Sequence, residues 1–245
     1  MKTIVAKTLA AVLITTGTVS FAAVSSLVAF VLFFVIPRVD TKGGMEHAAH
    51  VASQKFLAEV GPEAQFEDDT CGVHTLRVIY KAYGLEPDGE NLRARLGVDV
   101  PSNPADEMST GTLQPDILRV LVQDGFRYEF LDLENESEAA ARLAAHLRGG
   151  DMAAVLIRRR ENGHMHWVAA YRMPGEEIEV LDSLVEKSYL EEPEAFVAET
   201  MLSCVLVKPS GLESEDYARA TVDGTRELIS VMERYREIGR KNVRD

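Results

Sequence analysis

The chain is poor in cysteine. Its 245 residues hold two, Cys71 and Cys204, and a single pair is too few for a disulfide framework. No Cys-x-x-Cys and no His-Glu-x-x-His occurs, so the common zinc spacings are absent and no metal or other cofactor is expected. A nucleotide-binding motif, an internal repeat and a low-complexity tract are also missing. Basic residues are outnumbered: the net charge is −13, which argues against a nucleic-acid partner. Between Thr8 and Pro37 there is no charge of either sign.

That uncharged stretch is long enough to span a bilayer, and Phe21 to Ile36 is almost wholly apolar. A cleaved signal peptide is the rival reading, with Ser20-Phe21-Ala22 as a small-x-small site. The most apolar part, Leu27 to Ile36, follows that site, which favours an uncleaved single-pass anchor. Lys2, Lys7 and the terminal amine precede the span and Arg38 and Lys42 follow it. The small excess on the N-terminal side predicts a domain on the non-cytoplasmic face of the cell membrane. Hydrophobic content is 46%, ample for a core. The organisation expected is an anchor and linker over 1–44, a folded domain over 45–210 and a C-terminal amphipathic helix over 211–245. Gly43-Gly44 reads as linker.

Within the folded part, helical periodicity marks Cys71–Tyr83, stopped by Gly84. Further helices are predicted at Ala48–Glu59, Gly89–Leu96, Leu113–Gln123, Ser137–Leu147, Pro193–Met201 and Glu213–Arg240. Ser102–Thr112 reads as a loop. Strands are predicted at Tyr128–Leu133, Ala153–Arg158, Trp167–Arg172, Ile178–Leu181 and Cys204–Val207, with Pro174-Gly175 turning between the third and fourth. A mostly helical first half followed by an antiparallel sheet is an α+β layout.

Cys71 carries the functional signal. It opens a helix, where the positive end of the dipole favours a thiolate, the nucleophilic form. In the strand that follows, His166, Val168 and Ala170 share a face, as do Ile178, Val180 and Asp182 in the next. If a hairpin joins them, His166 and Asp182 meet at one rim, within about two pair positions. The carboxylate then orients one imidazole nitrogen and the other takes the Cys71 proton. Asp68 and Asp69 oppose a thiolate and are expected to cap the helix instead. Gln65, six residues before the cysteine, is placed to join the Cys71 backbone N–H as an oxyanion donor. His74 and His164 are weaker candidates for the base, and Cys204, among Leu202, Val205 and Val207, reads as core.

Gln65-x5-Cys71-Gly72 at a helix start, His166-Trp167 opening a strand and Val180-Leu181-Asp182 after it resemble the bacteriocin-processing, double-glycine leader peptidase family over about residues 60–210. The resemblance implies a papain-like fold with Cys71 as nucleophile, His166 as general base, Asp182 as its orienter and Gln65 in the oxyanion hole. Two positions depart from the family pattern. Thr70 precedes the cysteine where aspartate is usual, and Ser183 follows Asp182 where proline is usual. No transporter follows the domain, so the family's substrates transfer poorly.

The expected function is a membrane-anchored cysteine peptidase acting on a peptide or protein substrate. The alternative is a non-catalytic, peptidase-like subunit that binds a peptide or docks on a membrane complex through its C-terminal helix. Amidase or acyl-transfer chemistry would use the same thioester.

Overall fold

The computed structural model describes residues 58–65, 67–101, 110–185, 187–209 and 217–241. The expected membrane segment at 8–37 and most of the expected helix at 48–59 lie outside them. Among the described residues no helix is long and apolar enough to cross a membrane.

The described residues form, in order, α1 (Cys71–Ala82), α2 (Gly89–Arg95), α3 (Gln114–Gln123), β1 (Phe126–Phe130), α4 (Glu136–Arg148), β2 (Met152–Arg158), β3 (Met165–Arg172), β4 (Ile178–Leu181), β5 (Tyr189–Glu191), α5 (Pro193–Glu199), β6 (Met201–Pro209) and α6 (Tyr217–Lys241). The starts obey local chemistry. Asp88 accepts from the N–H groups of Glu90 and Asn91, Asn135 from that of Glu138, and Glu192 from those of Glu194 and Ala195. The strands form one sheet in the order β1-β6-β2-β3-β4-β5, every pair antiparallel.

Alternation along the strands gives the sheet two apolar faces. Ala154 and Leu156, Trp167 and Ala169, and Val205 and Val207 face α1, α3 and α6, whose Leu76, Ile79, Ile117, Leu121 and Val231 cover them. Val155, Val168, Ala170, Val180 and Cys204 face the other way, under Leu143 and Leu147 of α4 and Phe196 of α5. Each fully buried Leu, Ile or Phe stabilises by roughly 1.5–3 kcal/mol. A buried ion pair links the helices: Arg95 donates to Asp124 at 2.8 and 3.0 Å, and Tyr80 Oη donates to the same carboxylate at 2.7 Å.

β1 precedes α4 in the chain, in the order expected for that strand and helix. The layout of helices then sheet is corrected in one respect: α4 and α5 give the sheet a second helical layer. β5 was not expected, because three residues are too few to show a period. The last helix is no appendage. Ala220, Val231 and Ile238 belong to the main core. Gly224 lies against the backbone of Pro115, where a Cβ would come within 2.6 Å of Cα. Arg234 donates to the carbonyls of Met201, Leu133 and Val197.

Candidate active site

α1 begins at Cys71, so the thiol sits on its first turn, 9% exposed. The four leading N–H groups of a helix have no partner within it, which leaves the Cys71 backbone N–H available to an anion. The expected caps are a correction: Thr70 is the N-cap and makes no side-chain cap bond. Its Oγ1 instead donates to Glu67 O at 2.9 Å, and Asp69 accepts from Thr110 Oγ1 at 2.7 Å. Asp69 is drawn away to the loop at 110–112.

That loop presses on the helix start. A Cβ on Gly72 would lie 2.5 Å from Thr112 Oγ1 and 2.6 Å from Thr112 Cβ, so only glycine permits the approach. Trp167 holds the loop from behind, its indole N–H donating to Thr112 O at 3.0 Å. Trp167 and His166 point to opposite faces of β3. One fixes the helix start, and its neighbour serves the site.

β3 and β4 pair as expected, with Ala169 opposite Leu181 and Ala170 opposite Val180. One step further sets Val168 against Asp182, and His166 lies two residues along. The two side chains meet: His166 Nε2 is 2.7 Å from Asp182 Oδ1. Both are buried, at 3% and 5% exposure. Nδ1 is left for the Cys71 thiol, which is a hydrogen-bonding and electrostatic neighbour of the ring. Burial alone would lower the His166 pKa. Hydrogen bonds to Asp182 and Cys71, with the charges of both, outweigh it and hold the imidazole up at about 9. Burial favours the protonated acid at Asp182, but the His166 bond and charge, the Leu184 N–H at 2.8 Å and the Arg159 charge keep its carboxyl below the usual range. The arrangement favours the protonated ring at His166, held between the Cys71 sulfur and the Asp182 carboxylate.

Gln65 is joined to the segment after Asp182. Its backbone N–H donates to Ser183 O at 2.9 Å, and Ser183 Oγ donates to its side-chain carbonyl Oε1. The amide nitrogen donates to Glu67 O at 3.1 Å. The stretch before Gln65 is pinned to α1 by Glu63, which pairs with His74 at 3.6 Å, Arg77 at 3.3 Å and Lys81.

The weaker candidates fall elsewhere. His74 faces Glu63, and burial lowers its pKa against the pull of that carboxylate. His164 is exposed in the β2–β3 turn, where its N–H donates to Asn162 Oδ1 at 2.9 Å. Cys204 is fully buried, and burial, reinforced by the Glu227 charge, pushes its thiol pKa far up. Among the described residues no cluster of His, Cys, Asp and Glu could hold a metal ion. Sequence reasoning gave no part to Thr112, Arg159 or the tether role of Ser183. Only Ser183 left a signal, as a departure from the family pattern. A cavity of about 230 Å³ opens beside Asp182, bordered by Arg159, Tyr189 and Phe196. A larger one, about 460 Å³ and lined by carboxylates, lies between α6 and β1 and touches none of Cys71, His166 and Asp182.

Neither a protein-family model nor a curated protein sequence matches the chain. Solved structures do. The peptidase domain of Streptococcus ComA, a bi-functional ABC transporter of a quorum-sensing pathway, is 16% identical with a TM-score of 0.45, over 62% of this chain and 99% of that one. A double glycine motif protease from an AMS/PCAT transporter, in complex with the leader peptide, is 16% identical with a TM-score of 0.44, over 64% and 96%. A C39-like peptidase from Bacillus anthracis is 14% identical with a TM-score of 0.45, over 66% and 100%. Likeness at this identity concerns the fold.

Proposed function

We propose that the chain is a cysteine peptidase that hydrolyses peptide bonds through Cys71, His166 and Asp182, with Gln65 in the oxyanion hole. The observation that carries the reading is the buried His166–Asp182 pair at 2.7 Å, with Cys71 at a helix start as the ring's other neighbour. A bare buried imidazolium would be costly. A carboxylate on one nitrogen and the Cys71 sulfur, once it has given its proton to the ring, on the other make it favourable.

The reaction starts with the Cys71 proton on His166. The thiolate attacks the scissile carbonyl carbon, a C–S bond forms and the carbonyl π pair moves to oxygen. The Cys71 backbone N–H and the Gln65 amide donate to that oxyanion. Collapse breaks the C–N bond, and His166 gives its proton to the departing amine. Water, deprotonated by His166, then hydrolyses the thioester and regenerates the thiol. Asp182 keeps its charge throughout and orients the ring.

The substrate is an extended peptide. In support, the double glycine motif protease of similar fold was crystallised with a leader peptide. The domain is tethered to the cell membrane by residues 8–37 and faces the non-cytoplasmic side. The uncharged, apolar sequence of that segment and the basic residues before it support this reading.

A thiol-reactive probe tests the reading. Iodoacetamide should label Cys71 at least about tenfold faster than Cys204 at neutral pH, because only the former is near an imidazolium and a helix N-terminus. Equal or slower labelling of Cys71 would remove the nucleophile and leave a peptide-binding domain.

A further inference from the structure

We infer that Ser183 is a positioning residue for the oxyanion hole, and that it fixes which face of the Gln65 amide meets the substrate. This rests on Gln65 being an oxyanion donor. The amide could sit in either of two orientations related by a half-turn, and only one presents an N–H to the reacting oxygen. The surrounding groups decide between them. Glu67 O is a backbone carbonyl that can only accept, so the Gln65 nitrogen must face it, at 3.1 Å. The carbonyl Oε1 then faces Ser183, whose hydroxyl must donate. With Oε1 taken by Ser183 and one N–H by Glu67, the second N–H is left for a ligand.

Ser183 also accepts the Gln65 backbone N–H at 2.9 Å, so main chain and side chain are held by one residue 118 positions away. It directly follows Asp182, whose carboxylate holds His166 at 2.7 Å. One turn after β4 thus sets both the base and the oxyanion donor. Ser183 is 7% exposed, so water competes little for its hydroxyl. A proline here has no hydroxyl and could not serve the amide. Serine therefore gives this chain its own way of orienting the donor.

The test separates oxyanion stabilisation from thiolate reactivity in the full chain. Acetylation of Cys71 by p-nitrophenyl acetate forms a C–S bond, places charge on the carbonyl oxygen and expels p-nitrophenolate. Alkylation by iodoacetamide displaces iodide with no oxyanion. Gln65→Ala should slow acetylation about a hundredfold or more. Ser183→Ala should slow it about three- to tenfold, the scale of one lost hydrogen bond. Ser183→Thr should restore most of the rate. None of these should change alkylation. In the Gln65→Ala background, Ser183→Ala should add nothing, since it acts through Gln65. Additive losses, or equal slowing of alkylation, would overturn the proposal. Fast alkylation of Cys71 with no effect of Gln65→Ala on acetylation would overturn it and remove Gln65 from the oxyanion hole, while leaving Cys71, His166 and Asp182 as the hydrolytic groups. Alkylation of Cys71 no faster than of Cys204 would overturn both.

Discussion

Asp182→Asn should lower the pKa of His166, and the size of the change can be worked from the site. The ring is held at about 9, against an ordinary 6.5, despite burial that favours the neutral form. At about 1.4 kcal/mol per pH unit, the net preference for the imidazolium is about 3 kcal/mol. The hydrogen bond to Asp182 is the largest favourable contribution, ahead of that to Cys71. An asparagine keeps the shape and loses the charge, while the burial remains. The midpoint should therefore fall by about one pH unit or more. The ring C2–H resonance of His166, assigned by its loss in His166→Ala, reports this directly. Stability follows the same sign. The His166 contribution is fully present below about 6.5 and is lost as pH rises through about 9. Asp182, with its pKa depressed, contributes above the ordinary carboxylate value and loses this as pH falls through its lowered value. In Asp182→Asn the alkaline loss of stability should shift to lower pH. A wild-type midpoint near 6.5, or one that Asp182→Asn leaves unmoved, would refute the reasoning.

Other outcomes follow from single positions. Cys71→Ala should abolish hydrolysis while the circular dichroism spectrum stays unchanged, and His166→Ala should be nearly as severe because base and nucleophile act as a unit. Gly72→Ala drives a Cβ into Thr112 and should cost about 1–3 kcal/mol in chemical denaturation, with Thr112→Gly, which removes all three crowding atoms, returning part of the loss. Arg95→Met strands the buried Asp124 and should destabilise by about 3–5 kcal/mol, read as a lower urea midpoint with no direct effect on Cys71 alkylation.

The sequence carried the pairing of His166 with Asp182 further than it carried the architecture. Cys71 was legible because a helical period begins at it. His166 and Asp182 were legible because strand parity and a Pro-Gly turn bring them to one rim, and the pairing of Ala169 with Leu181 matches that expectation. The second helical layer was not foreseen. Val155 and Val168 are buried on one face of the sheet while Ala154 and Trp167 are buried on the other, so the strands are apolar throughout and do not announce which helices cover which side. The capping role given to Asp68 and Asp69 failed because loop 110–112 takes Asp69, a long-range contact that no local pattern encodes. Ser183 looked like a mere departure from a family pattern until its bonds to Gln65, far off in the chain, gave it a task.

The central claim is that Cys71 makes this domain a hydrolase. Cleavage profiling of a peptide library, with wild type and Cys71→Ala side by side, tests it most directly. The account predicts discrete cleavage by the wild type, strongest between neutral pH and about 9 while His166 holds its proton, and none by the variant. Identical profiles from both proteins, or no cleavage by a wild type whose Cys71 labels rapidly, would contradict it.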